Sequence, residues 1–283
     1  AKKKVGDWYV KWALRQWNQN YERYLRCEIT LEELCESPAR PTLLVKVRLE
    51  GRDLRFEPAD CQDVKKLWKA AEKLKEMWGD PDIPAEEMWK YTSGSAGNLS
   101  IIVWGFDRFY KLFNPRQLLA LVKLVKLIRE VGRLAEEEKL REGWGREDAH
   151  KYAEAVTTYL AIALSKHADY NSIVTAWNPG FWGITKVQHT LAVRGIAMQW
   201  NWSDVSPHNA TNPLSYTSII KGYMINAIEY LVSAVSGTPG RVRVLLDDAA
   251  SLSKLGGEVF DVVVTDPPYA DDVPYAELSD FYY

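Results

Sequence analysis

The sequence predicts an α/β protein in two parts. Residues 1–236 form a mainly helical region with a small β-hairpin unit near 42–104, and residues 237–283 hold part of a parallel-sheet core. Three observations predict this. Apolar residues recur at helical spacing in several long stretches. A β-branched run turns back on itself at Glu50-Gly51. Beyond Gly237-Thr-Pro-Gly240 the helical period gives way to short apolar runs that end in aspartates.

Between Val5 and Leu25, Trp8, Trp12, Leu14, Trp17, Tyr21 and Tyr24 recur at helical spacing among polar residues, which predicts an amphipathic helix. Thr42 to Leu49 has the β-branched content of a strand, and Arg52 to Glu57 is its hairpin return. Asp60 to Met77 is helical again. Pro81, Pro84 and Thr92-Ser-Gly-Ser-Ala-Gly97 mark a loop, and Leu99 to Trp104 is a further short strand. Asn114-Pro115 pairs an N-cap with a proline at the first helical position, so a helix starts there and runs through Leu134. Glu147 to Ala168 and Thr217 to Val235 are two more long helices. Asn171 to Asn212, rich in Trp, Asn, Pro and Gly, is an ordered aromatic-lined connection.

Composition narrows the functional classes. With 47% hydrophobic and 26% charged residues the chain can bury a core, and its apolar runs are too short for a membrane helix. The net charge is −2, so a nucleic acid must be held by a local basic face. Lys111, Arg116, Lys123, Lys126, Arg129 and Arg133 are candidates, although Glu130 and Glu136-Glu137-Glu138 favour a solvated helix face. Cys27, Cys35 and Cys61 are too few for a disulfide framework and lack paired metal-ligand spacing, so the expectation is a cytoplasmic protein without a metal site. The chain opens Ala1-Lys2-Lys3-Lys4 and closes Asp280-Phe281-Tyr282-Tyr283, as an excerpt of a longer protein would. Twelve Trp and 15 Tyr serve packing or base stacking, and Trp177, Phe181, Trp182, Trp200 and Trp202 are read chiefly as packing residues.

The chemistry concentrates at the end of the chain. Arg241 to Leu246 leads into Asp247-Asp248-Ala249, and Val259 to Thr265 leads into Asp266-Pro267-Pro268-Tyr269. Two buried parallel strands with a site at their carboxyl ends fit this pattern, and a strand followed by a proline turn is the plain alternative. An exocyclic amino nitrogen on a base is a poor nucleophile because its lone pair is delocalised into the ring. Acceptors around its hydrogens draw it toward tetrahedral geometry. The Asp266 carboxylate and the Pro267 carbonyl are such acceptors, consecutive prolines stiffen the loop, and Tyr269 offers a stacking face. A base in a duplex must first be flipped out, at a cost of a few kcal/mol.

Asp266-Pro267-Pro268-Tyr269 resembles the catalytic motif of amino-methyltransferases dependent on S-adenosylmethionine, with aspartate in the first position more typical of adenine enzymes. Phe113 to Leu119, Ala168 to Ser172, Arg194 to Met198 and Val273 to Asp280 extend the likeness to the adenine-specific DNA methylases with a long zinc-ribbon-like insertion. It covers roughly residues 98–283. The resemblance implies a partial Rossmann-like methyltransferase core behind a helical insertion, with Asp266, Pro267, Pro268 and Tyr269 as catalytic residues. It also implies that Asp248, with Asp247, contacts the cofactor, and that the substrate is DNA in a restriction-modification or anti-phage system. Methylation of an RNA base and a non-catalytic DNA-binding or assembly subunit of a defence complex remain alternatives.

Two departures from the family stand out, one being that Cys27, Cys35 and Cys61 lack the paired C-x-x-C spacing of a zinc ribbon. The other is that the family's glycine-rich cofactor loop is not in these residues, since Ser93-Gly94-Ser95-Ala96-Gly97 precedes a strand where that loop should follow one. The sheet that the resemblance implies places the cofactor-loop strand between the strands that end at Asp247 and Asp266. A partner chain or a missing segment is therefore expected to supply it. His150, His167, His189 and His208 receive no role.

Overall fold

The computed structural model describes residues 2–50, 53–88, 101–177, 187–192, 196, 198–209, 212–237, 240, 242–267 and 275–283. Helix covers about 53% of the described residues, and the strands among them form small two-stranded sheets, so the fold is α/β with helix dominant. No helix among the described residues is long and apolar enough to cross a membrane.

Helix α1 (Lys2–Leu25) buries Leu14, Trp17, Tyr21 and Tyr24 of the expected stripe, together with Ala13 and Leu25, whereas Trp8 and Trp12 of that stripe stay exposed near its beginning. The short α2 (Leu31–Cys35) begins at a capping box, in which the Thr30 hydroxyl accepts from the Glu33 N–H and the Glu33 carboxylate accepts from the Thr30 N–H. Strands β1 (Val45–Glu50) and β2 (Asp53–Pro58) pair antiparallel, with Val47 opposite Phe56. Helix α3 (Cys61–Glu76) starts at a second capping box built by Asp60 and Asp63, which Lys46 ties to β1. Together with residues 101–113, the start of α4 (Pro115–Arg141), Ile173, Val174, Ile196 and Leu278, these helices enclose the main core.

The strand expected at Leu99 to Trp104 is corrected. Its described residues, 101–104, form a 3₁₀ turn that closes with Gly105 N–H donating to the Ile102 carbonyl at 3.0 Å. No neighbouring strand offers a ladder there, and Ile101 is used instead as a fully buried core side chain.

Helix α4 starts as its sequence predicts. The Asn114 side chain accepts from the N–H groups of Arg116 and Gln117 at 2.8 and 3.1 Å, Gln117 accepts from the Asn114 N–H, and Pro115 occupies the first turn. It ends where Gly143, at φ +89°, lets the Gly143 and Trp144 N–H groups return to the Leu140 and Lys139 carbonyls. Helix α5 (Arg146–Asp169) then packs along α4, and Gly132 leaves room for the Thr157 side chain between them. The connection after α5 carries β3 (Ala176–Trp177) paired with β4 (Val187–Gln188). The helix expected over Thr217 to Val235 is observed in three parts: α6 (Tyr216–Ser218), a π-helical turn (Ile219–Met224) and α7 (Ile225–Val235). The chain closes with α8 (Tyr275–Ser279), which returns to the core through Leu278 and through Phe281 stacked on Phe113 at 5.9 Å.

The two apolar runs assigned to a partial Rossmann-like core are also corrected, because residues 242–246 and 259–264 carry no strand ladder. Val259, Val262, Val263 and Val264 are 74–96% exposed. A strand exists only where a neighbour takes up its N–H and C=O groups, and no such neighbour stands beside either run among the described residues.

Candidate functional site

The Asp247 loop is a built turn. Its carboxylate accepts from the Lys254 N–H at 2.6 Å, the Asp248 N–H at 2.9 Å and the Ser253 hydroxyl at 3.0 Å. The Lys254 amide, seconded by Ser253 and Asp248, holds this carboxyl below the usual aspartate range. Asp248 closes the inner turn, its carboxylate accepting from the Ala250 N–H at 3.0 Å and its carbonyl from the Leu252 N–H at 2.8 Å. The preceding run reaches the loop through Lys254, whose Nζ donates to the Leu246 carbonyl at 2.5 Å. Asp247 is thus a structural anchor, whereas the Asp248 side chain stands exposed.

Asp266 and Pro267 are exposed at the end of the second run, and no hydrogen bond or ion pair engages the Asp266 carboxylate among the described residues. Pro268 and Tyr269 lie outside the described residues. The Arg243 guanidinium meets the Glu258 carboxylate at 2.7 Å, which joins the beginnings of the two apolar runs. No bond joins the Asp247 loop to Asp266 among the described residues. The acceptors present suit amino or hydroxyl groups at one end of S-adenosylmethionine; the 283 residues offer no glycine-rich turn for its amino-acid end.

A buried polar network missed at the sequence level organises the helical region. Asn114 donates to Asp204 at 3.1 Å, and Arg116 binds the same oxygen through Nε at 3.0 Å and Nη2 at 2.6 Å. Gln117 donates to the Ser203 carbonyl at 3.0 Å and to Asn171 at 3.3 Å, while Asn171 accepts from the Val205 N–H at 2.8 Å. His167, fully buried, donates from Nδ1 to the Leu214 carbonyl at 2.8 Å and accepts from Asn171 at Nε2. Burial pushes its imidazole below the ordinary value, so it is the neutral tautomer that holds these bonds. The blocks around Asn114 and Asn171 that the sequence singled out are thus joined through Gln117, and Leu278 of a further block packs in the apolar core that also holds Phe113 and Ile173.

Close by, the buried Asp169 carboxylate lies 3.3 Å from Nδ1 of His189, at an angle too oblique for a hydrogen bond. Burial, with the nearby Asp169 charge, raises the phenol of Tyr282.

The cationic face proposed for a nucleic-acid backbone is largely neutralised. Lys111, buried, meets Glu22 at 3.0 Å and Asp107 at 2.8 Å. Arg116 meets Asp204, Lys126 meets Asp80 at 2.5 Å, Arg129 meets Asp82, and Arg133 is held between Glu130 and Glu137. A cation already matched to a carboxylate adds little to phosphate attraction. Of the aromatic candidates, Trp202 packs on the core and Trp177 meets Phe56 edge-on, whereas Trp200 stays exposed against Trp104; Phe181 and Trp182 lie outside the described residues. No three metal-ligating side chains cluster among the described residues. Comparison with protein-family models, curated proteins and solved structures finds no match to this chain.

Proposed function

We propose that this protein is an S-adenosylmethionine-dependent methyltransferase acting on the exocyclic amino group of adenine in DNA. The observation that carries the reading is Asp266-Pro267-Pro268-Tyr269 directly after the run Val259 to Thr265. The exposed Asp266 carboxylate, unbonded among the described residues, and the pre-folded acidic turn at Asp247 support it.

In this reading Asp266 and the Pro267 carbonyl accept the two amino hydrogens and bend the nitrogen toward the geometry of the transition state. S-adenosylmethionine, if bound, would supply an electrophilic sulfonium methyl and leave as a neutral thioether when its C–S bond breaks, while Asp266 would take the proton that the methylated nitrogen sheds; no covalent enzyme intermediate is needed. Tyr269 stacks on the flipped base, and about 1–3 kcal/mol from that stacking offsets part of the unstacking cost. A strand and cofactor loop from a partner chain or a further segment complete the sheet and cover the exposed valines. Transfer of labelled methyl groups to duplex DNA tests the assignment, and preferential transfer to structured RNA would move it to the RNA reading. The absence of a glycine-rich loop from these residues favours one other reading, a non-catalytic DNA-binding or assembly subunit.

A further inference from the structure

A second site, independent of the Asp266 loop, lies between α4, α5 and the π-helical turn. Leu124, Leu127, Ile128 and Val131 recur on one face of α4, and Leu160 of α5 and Ile220 of the turn complete an aliphatic cleft of about 370 Å³. That volume is at the small end of the roughly 300–1,000 Å³ range of ligand sites. Leu127 and Val131 leave 55% and 39% of their surface uncovered, although core helices normally bury such residues. The wall carrying Ile220 and Lys221 is the π-helical turn, a form that is rare and recurs at functional sites.

The polar rim is asymmetric. The Tyr216 hydroxyl already donates to the Leu160 carbonyl at 3.2 Å, and the Thr217 hydroxyl to the Pro207 carbonyl at 3.2 Å. Lys221 and His208 also line the cleft, and neither joins an ion pair among the described residues, unlike most cations of α4. The cleft thus has an aliphatic body and, in Lys221, one ammonium on its rim without a carboxylate partner among the described residues. One ammonium matches a monoanion.

We propose that this cleft binds a medium-chain aliphatic carboxylate, its chain along α4 and its carboxylate at Lys221. Titration calorimetry of the whole protein with hexanoate, octanoate and decanoate at pH 7 should show about fourfold tighter binding per added methylene until the cleft is filled. Octanol should bind more weakly than octanoate. Lys221→Glu should weaken octanoate about fivefold and leave octanol unchanged, because it reverses a solvent-facing charge. Leu127→Glu should weaken both ligands. Both side chains are exposed, so circular dichroism should show both variants folded.

Equal affinity for octanoate and octanol, no dependence on chain length, or an unaltered octanoate affinity in Lys221→Glu would each overturn the proposal. Self-association that Leu127→Glu abolishes, with no octanoate binding, would overturn it too and assign the cleft to a second copy of the chain.

Discussion

Replacing Gly132 by alanine sets two effects of known size against each other. Alanine in a helix interior gains about 1 kcal/mol over glycine. A Cβ at Gly132, however, would stand 2.6 Å from Thr157 Cγ2, where carbon atoms in ordinary contact keep about 3.5–4.0 Å. Thr157 cannot simply turn away, because its hydroxyl donates to the Ala153 and Glu154 carbonyls, both at 3.0 Å. Overpacking of this kind costs about 1–3 kcal/mol, so the net loss should be about 0–2 kcal/mol, or a few degrees in Tm. Thr157→Ser removes Cγ2 and keeps the hydroxyl. In that background Gly132→Ala should stabilise by about 1 kcal/mol, and urea unfolding followed at 222 nm reads both steps. Clear stabilisation by Gly132→Ala in the wild-type background, or the same effect in both, would refute the close α4–α5 contact.

Three further outcomes follow from the same residues. His167 is held neutral with its folded pKa below that of the unfolded chain, so the unfolded state takes up the proton first as pH falls. Its contribution is complete above about pH 6.5 and declines below it, by at most about 1.4 kcal/mol per pH unit. Urea unfolding at pH 7, 6 and 5 should show this decline, with a shallower slope in His167→Gln; identical slopes would remove His167 as the cause. Tyr269→Ala should slow methyl transfer more than Tyr269→Phe or Tyr269→Trp, which keep a ring face, and equal loss in all three would point to the hydroxyl. Calorimetry on residues 1–283 alone should give S-adenosylmethionine affinity weaker than micromolar, because the acidic turn at Asp247 offers contacts to one end of the cofactor; micromolar binding would mean that these residues hold a complete pocket.

The sequence made local structure readable where neighbouring residues decide it. Asn114-Pro115-Arg116-Gln117 carries its own cap, and Val45 to Pro58 pairs with itself across a short connection. Residues 101–104 and the runs at 242–246 and 259–264 have the composition of strands, but a strand is a relation between segments, and no pairing partner stands beside them among the described residues. The polar network joins Asn114 to Asp204 and Gln117 to Asn171 across 90 and 54 residues, so no local pattern announces it. The cationic stripe of α4 looked available because Asp80, Asp82 and Asp204, which neutralise it, lie far away in sequence. The π-helical turn likewise depends on how residues 216–235 pack, not on their period. Of the candidate site, Asp266-Pro267-Pro268-Tyr269 carries the proposed chemistry in adjacent residues and so stands out in the sequence, whereas the anchoring bonds of Asp247 to Ser253 and Lys254 are visible only in the fold.

The central claim is that Asp266 assists methyl transfer to adenine. The most direct measurement expresses the gene, together with the genes beside it, in a host whose DNA lacks N6-methyladenine and quantifies that base by mass spectrometry. The account predicts N6-methyladenine with the wild-type protein and a loss of more than tenfold with Asp266→Ala, equivalent to about 1.4 kcal/mol or more of transition-state stabilisation. No N6-methyladenine with the wild type, or an equal amount with Asp266→Ala, would contradict it.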